Sequence, residues 1–292
     1  MTTIATQVPA AVAGSRATRS PILRALKRPI PLTALCVLAV IVLAAVFAPL
    51  IAGDPERIVA TERLRVPGAR HWFGTDNLGR DVFARVVFGA RNSLLVGLLV
   101  AALATAFGTV VGVLTGYFRR LDFVAMRVVD GLMAFPALVL AISMVGILGQ
   151  STTTVVAALA TVTFPLVARV VRSSALVASR LPMIESARSV GAGHMRILLR
   201  YVLPSCWTVV LTQATVLFSV AVLAESGLSF IGAGLPPNVP SWGGSIADSR
   251  NYLVTAWWMT AFPGLALVAT VLCLNLVTDA LRDGLDPRIR ER

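Results

Sequence analysis

Long apolar runs alternate along this chain with short segments that carry most of its charge. Six apolar runs stand out against the about 20 residues an α-helix needs to cross about 30 Å of hydrocarbon: 32–52, 92–118, 123–149, about 155–167 after the "GQSTTT" turn, 205–224 and 257–278, the fourth being the shortest. Their length and continuous apolarity argue for helices rather than half-buried strands. The pattern predicts an all-α polytopic membrane protein with six transmembrane helices. Basic residues precede the first run, as in a secretory leader, but the run exceeds the about 7–15 apolar residues of such a leader. It reads as an uncleaved first span.

This division predicts a flexible arm at 1–31, a membrane domain at 32–281 and a tail at 282–292. The domain's long connections are a loop at 53–91, a basic loop at about 169–204 and another loop at about 225–256. With 57% hydrophobic and 14% charged residues, and a mean hydropathy of +0.81, the chain exceeds the apolar content of soluble domains. The net charge of +12 resides in arginines, save Lys27, spread between the spans without an aromatic-interleaved basic surface. Nucleic acid is therefore not an expected partner, whereas the lipid bilayer is.

The arginines orient the spans instead. With a cytoplasmic N-terminus, the inner segments hold the basic arm, Arg119 and Arg120, the group Arg169, Arg172, Arg180, Arg188, Arg196 and Arg200, and the tail. The loop 53–91 is also basic, but Asp54, Glu56, Glu62, Asp76 and Asp81 are interleaved with its arginines. Both termini are expected in the cytoplasm. Cys36, Cys206 and Cys273 lie in or beside apolar runs without a C-x-x-C pair, and read as small buried residues.

Between the fourth and fifth spans lies "ESARSVGAGHMRILLRYVLP", residues 185–204. Met183, Ala187 and Val190 share helical spacing, as do Met195, Leu198, Leu199 and Val202, with Arg196 and Arg200 on another face. Gly191 and Gly193 separate the two pieces. Two short amphipathic helices meeting at a bend are predicted, a shape that lies in a headgroup layer or enters a groove on a partner protein.

Glu185, Ser186, Ala187, Gly191, Leu203 and Pro204 resemble the EAA loop of binding-protein-dependent ABC importer permeases. Ser186 stands where that loop has its first alanine, and Tyr201 occupies a usually apolar position. Three further stretches, "HWFGTDNLGRDVFARVVFGARNSLLVG", "LAESGLSFIGAGLPPNVPSWG" and "NLVTDALRDGLDPR", resemble the C-type permease subunit of dipeptide, oligopeptide and nickel importers. The resemblance implies a type I importer (MetI-like) bundle in the cytoplasmic membrane of a prokaryote. It implies a second permease subunit, two ABC ATPase subunits and an extracytoplasmic substrate-binding protein as partners. The EAA loop is then the coupling element docked on an ATPase, and ATP and Mg belong to the ATPases, with no cofactor on this chain. The implied cargo is di- or oligopeptide; nickel or another small solute is the alternative.

Candidate chemistry inside the spans is sparse. Thr208, Thr212, Thr215 and Ser219 form a polar stripe at helical spacing, suited either to interhelical hydrogen bonds or to lining a wet translocation path. Gly108, Gly112 and Gly116 form a small-residue stripe suited to close helix packing. Pro136, Pro165 and Pro263 are candidate bends in spans three, four and six. Asp130 is expected to pair with Arg127 one turn earlier, and Thr75 or Asp76 to cap the helix that follows. Glu225, about 30 Å along the fifth span, should sit near the outer boundary as a candidate outer gate.

Other function classes fit less well. Lys27 is followed by Arg28, so the chain has no Gly-Lys-Ser/Thr phosphate loop and is not expected to be an enzyme. His71 and His194 are predicted on opposite sides of the membrane, which excludes a shared metal or catalytic site. An ion-coupled secondary transporter would need ionisable groups near the bilayer midplane and would leave the EAA resemblance unexplained.

Overall fold

The computed structural model describes residues 29–285. Of the expected arm and tail, residues 1–28 and 286–292 therefore lie outside the described residues. Among the described residues the structure is helical, with one isolated bridge between Thr75 and Asp81. Helix α1 spans Pro29–Val46, and a short α2, Ala48–Ile51, follows it. Then come α3 (Val82–Tyr117), α4 (Arg119–Met133), α5 (Ala137–Leu148) and α6 (Thr152–Ala178). The basic segment contains α7 (Pro182–Ser189) and α8 (His194–Ile197), followed by a π turn at Leu198–Val202. The remaining helices are α9 (Leu203–Ile231), α10 (Trp242–Asp248) and α11 (Trp258–Leu285).

Five continuous helical stretches are long and apolar enough to cross a membrane: α1, α3, α6, His194–Ile231 and α11. The third predicted span, 123–149, is not one rod. Helices α4 and α5 meet at 87° across Ala134, Phe135 and Pro136. Proline disfavours helix in the residue before it and cannot donate its own backbone hydrogen bond, so the chain turns there. Pro165, by contrast, lies within continuous α6 and Pro263 within continuous α11.

Helix α3 begins ten residues before the expected run because Asp81, not Thr75 or Asp76, is its N-cap. The Ala84 amide donates to the Asp81 carboxylate at 3.0 Å. Asp76 instead closes the preceding turn, accepting from the Leu78 and Arg80 amides at 2.8 Å each.

The core is built on α3 against α6. A Cβ placed on Gly108 would come within 2.6 Å of the Val167 Cβ, on Gly112 within 2.7 Å of the Ala168 carbonyl oxygen, and on Gly116 within 2.5 Å of the Ala175 Cβ. The glycine stripe is a packing seam in which backbone meets backbone. Helix α4 is fastened to α6 by charge. Arg172 forks onto Asp122 at 2.5 and 2.7 Å, and Arg169 donates to Asp130 at 2.6 Å. The expected Asp130–Arg127 pair gives way to this contact with α6, and Arg127 lies over the Phe123 ring at 4.7 Å.

Candidate functional site

The segment 182–204 is an elbow attached to the end of α6 and the start of the fifth span. Pro182 occupies the first turn of α7, where its missing N–H costs no helical bond, and Glu185 and Arg188 complement the helix dipole at either end. Ile184 and Ala187, three residues apart, are buried with Ala175 and Ala178 of α6 and with Ile197 and Leu198 beyond the bend. Met183, Glu185, Ser186 and Val190 remain exposed, Val190 at 85%. Ser186 bonds back to the Pro182 carbonyl at 3.1 Å, so the small-for-small replacement is satisfied within its own helix.

Gly191 makes the bend. Its φ of +78° lies in the left-handed region that an L side chain disfavours. The Ala192 amide donates to the Ala187 carbonyl at 3.0 Å and the Gly191 amide to the Arg188 carbonyl at 2.9 Å, the bond pair of a Schellman stop. Ala192 also packs against the cluster that buries Ala187. Glu185, Ser186, Ala187 and Gly191 therefore belong to one compact unit, although Ala187 faces inward.

The second predicted helix is corrected. Residues 194–204 do not form a separate amphipathic piece; His194–Ile231 is one 38-residue helical stretch. Pro204 lies inside it. A helical proline crowds the carbonyl four residues back and leaves it unbonded, and the π turn at Leu198–Val202 widens the helix just there. Leu203 and Pro204 thus belong to the entry of the fifth span. The apolar face predicted from Met195, Leu198, Leu199 and Val202 is divided: Leu198 and Val202 are buried, while Met195 and Leu199 are exposed.

One contact at the elbow escaped the sequence reading. Tyr117, the last residue of α3, places its hydroxyl 2.8 Å from His194 Nδ1, and the Arg188 guanidinium lies 5.3 Å above the Tyr117 ring centroid. A Tyr–His pair separated by 77 positions leaves no local periodicity to find.

The other candidate residues lie elsewhere on α9. Thr208 is exposed, Thr212 and Thr215 are half-buried, and Ser219 is buried. Thr212 and Thr215 bond to carbonyls of their own helix at 2.9 Å, whereas Ser219 also donates to Asn275 of α11 at 2.9 Å. The stripe thus supplies interhelical bonding at Ser219 and exposed polar surface at Thr208. Glu225 is fully buried, accepting from Ser229 at 2.8 Å and Ser226 at 3.4 Å. Ser229 in turn accepts from the Leu235 amide at 3.2 Å, so the carboxylate anchors the connection to α10. Helix α10 is held against α3 by Trp242, whose indole N–H donates to the Val86 carbonyl at 3.0 Å. A cleft of about 580 Å³ beside Ser226 and Gly243 has an almost wholly apolar lining, including Leu138, Leu159 and Leu223, and offers little to read a polar solute.

The loop before α3 carries its own polar frame. His71 lies between two carboxylates, with Nε2 3.1 Å from Glu62 and Nδ1 3.1 Å from Asp81. The hydrogen bond with His71 is the main reason that the Glu62 carboxyl titrates below its ordinary range. Arg80 pairs with Asp76 at 2.6 Å, and both Arg80 and Arg85 reach Asp248 of α10 at 3.2 Å.

Comparison with known proteins accounts for this arrangement. Residues 105–291 match the family described as "Binding-protein-dependent transport system inner membrane component". The "Probable peptide ABC transporter permease protein" of Sinorhizobium fredii is 45% identical over 289 residues, covering 97% of this chain and 99% of that protein. The dipeptide transport system permease of Alkalihalophilus pseudofirmus is 37% identical, covering 90% and 88% of the two chains. The glutathione transport system permease of Pectobacterium atrosepticum is 38% identical, covering 81% and 79%. With the family model covering more than half of its length, the chain belongs to the inner-membrane components of binding-protein-dependent transport systems, as a multi-pass permease.

Proposed function

We propose that this chain is the C-type permease subunit of an ABC importer for di- and oligopeptides, forming the translocation path with a second permease subunit. Two ABC ATPase subunits supply ATP hydrolysis and Mg binding, and an extracytoplasmic binding protein delivers the cargo. The observation that carries the reading is the elbow: α7 buries Ile184 and Ala187 while presenting Glu185, Met183 and Val190 outward. A helix anchored on one side and apolar and charged on the other suits a groove on a partner protein. The printed names of the relatives, peptide, dipeptide and glutathione, support a peptidic cargo. In this reading the elbow and both termini are cytoplasmic, Thr208, Thr212 and Thr215 line the path, and Glu225 belongs to the outer gate.

The test is uptake by the complete importer at matched protein level, with ATPase association measured beside it. Glu185→Lys reverses an exposed charge in the first turn of α7. Gly191→Val meets open space but forces a β-branched residue to positive φ, so it should unseat the bend by strain alone. Both variants should insert normally, lose uptake and bind the ATPases weakly, with Arg196→Gln less affected. Wild-type uptake in both would reject the elbow as the coupling element.

A further inference from the structure

Two rigid units meet at the elbow. Helices α3 and α6 are interlocked through the Gly108, Gly112 and Gly116 seam, where the glycines seat directly against Val167, Ala168 and Ala175 of α6. The other unit is the continuous stretch His194–Ile231. Helix α7 is covalently joined to both, through Ser179–Leu181 on one side and the Gly191 turn on the other. A push on α7 could therefore move the units together or pry them apart. The outcome depends on what ties their ends to each other.

Along their length the units share an apolar cluster, with Ala101, Ala104 and Val113 of α3 beside Val210 and Leu217, and the polar tie at the elbow end is Tyr117. It ends α3 immediately after Gly116, the last glycine of the seam, so its position is set by α6 as much as by α3. Its hydroxyl meets His194 Nδ1 at 2.8 Å, at the first residue of the other unit. Phe118 and Tyr117 both stand edge-on to the imidazole, with ring centroids 5.8 and 5.7 Å away. Arg188 reaches over the Tyr117 ring from the last turn of α7. One tyrosine thus contacts α7 and the start of the fifth span while belonging to α3. His194 is exposed and Tyr117 half-buried, so core filling does not account for the hydrogen bond.

We propose that Tyr117 and His194 form a latch that makes the α3–α6 pair and the fifth span move as one when α7 is displaced. They are positioning residues: they touch neither cargo nor nucleotide, and they convert movement of the elbow into movement of three spans. The inference rests on α7 being the coupling element.

The experiment uses the whole importer, purified with its partner subunits and reconstituted in liposomes, with peptide uptake and ATP hydrolysis measured on the same preparation. Tyr117→Phe removes the hydroxyl but keeps the ring under Arg188. His194→Ala removes the ring partner of the hydroxyl, and His194→Asn restores a polar atom near the Nδ1 position. Tyr117→Phe and His194→Ala should each retain ATPase binding and hydrolysis while uptake per ATP falls about fivefold, the scale of one hydrogen bond. His194→Asn should recover most of the loss, and the double variant Tyr117→Phe with His194→Ala should be no worse than either single one. Wild-type uptake per ATP in Tyr117→Phe, or multiplicative losses in the double variant, would overturn the latch. So would loss of ATPase binding in these variants, since the residues would then serve docking. If Glu185→Lys and Gly191→Val leave ATPase association and uptake intact, the coupling reading itself fails, whatever Tyr117 does.

Discussion

Arg85 Nη2 lies 3.2 Å from Asp248 Oδ2, joining the first turn of α3 to the end of α10 across 163 positions of sequence. Arg85 is only 5% exposed, so its charge depends on this carboxylate and on Asp76 at 4.0 Å. Arg85→Ala should destabilise the detergent-solubilised protein by about 1.5–3 kcal/mol, the range for hydrogen bonds to charged groups. Thermal unfolding of Arg85→Ala, Asp248→Ala and the double variant measures the coupling. Additive losses would show that the two residues do not act as a pair.

The glycine seam makes a sharper prediction, because α3 and α6 have no room to separate without loosening the cluster between them. Gly112→Val places a branched side chain where even a Cβ meets backbone at 2.7 Å, and should cost at least the about 1–3 kcal/mol typical of overpacking. Gly146→Ala, in α5, meets nothing within 4 Å and should be silent. Yield and melting temperature of the two variants decide the matter; equal behaviour would mean the seam is not closely packed.

Glu225 separates anchoring from gating. Glu225→Ala strips an acceptor from Ser229 and should destabilise the protein by about 1–3 kcal/mol, whereas Glu225→Gln keeps an oxygen for that bond and should unfold like the wild type. Uptake by Glu225→Gln should nonetheless fall, since the gate reading assigns a role to the carboxylate. Undiminished uptake would leave Glu225 as an anchor for the connection to α10.

The loop before α3 should respond to acid. Because the folded state lowers the Glu62 carboxyl below 4.5, its contribution is present above that value and is lost as pH falls through the folded one. Limited proteolysis at Arg63, Arg65 and Arg70 should thus stay slow near neutrality and accelerate below about pH 4.5. In Glu62→Gln the cleavage rate should be raised at neutral pH and depend less on acid. Identical acid profiles for the two proteins would place the transition on another group.

The membrane character and most of the elbow were legible because they are local. Twenty apolar residues need a bilayer wherever they fall, and Gly191 marks a bend through its own backbone freedom. The failures share a cause. Arg169 takes Asp130 from Arg127 across 39 positions, and no helix-surface rule sees a competitor on another helix. The helix after Thr75 and Asp76 is legible from its spacing, but its cap is not: Asp76 is taken by the Leu78 and Arg80 amides and by the Arg80 side chain, which leaves Asp81 to accept from Ala84. The break between residues 185 and 204 was read correctly at Gly191, but the π turn at 198–202 lets Pro204 sit within a continuous helix where the pattern suggested a boundary. The role of Ser219 in bonding to Asn275 became decidable only once α11 was in place.

The right-angled turn before α5 gives the molecule an uneven outline. Its 12 residues rise about 18 Å, against a hydrocarbon layer of about 30 Å, and they run alongside α6, with Ala141 and Val145 in one cluster with Val155 and Leu159. On this flank α4 runs nearly perpendicular to α5 and leaves Phe123, Val124 and Val128 exposed. Alone α5 is too short to cross that layer, so a sixth crossing exists only where α4 and α5 together make one broken span.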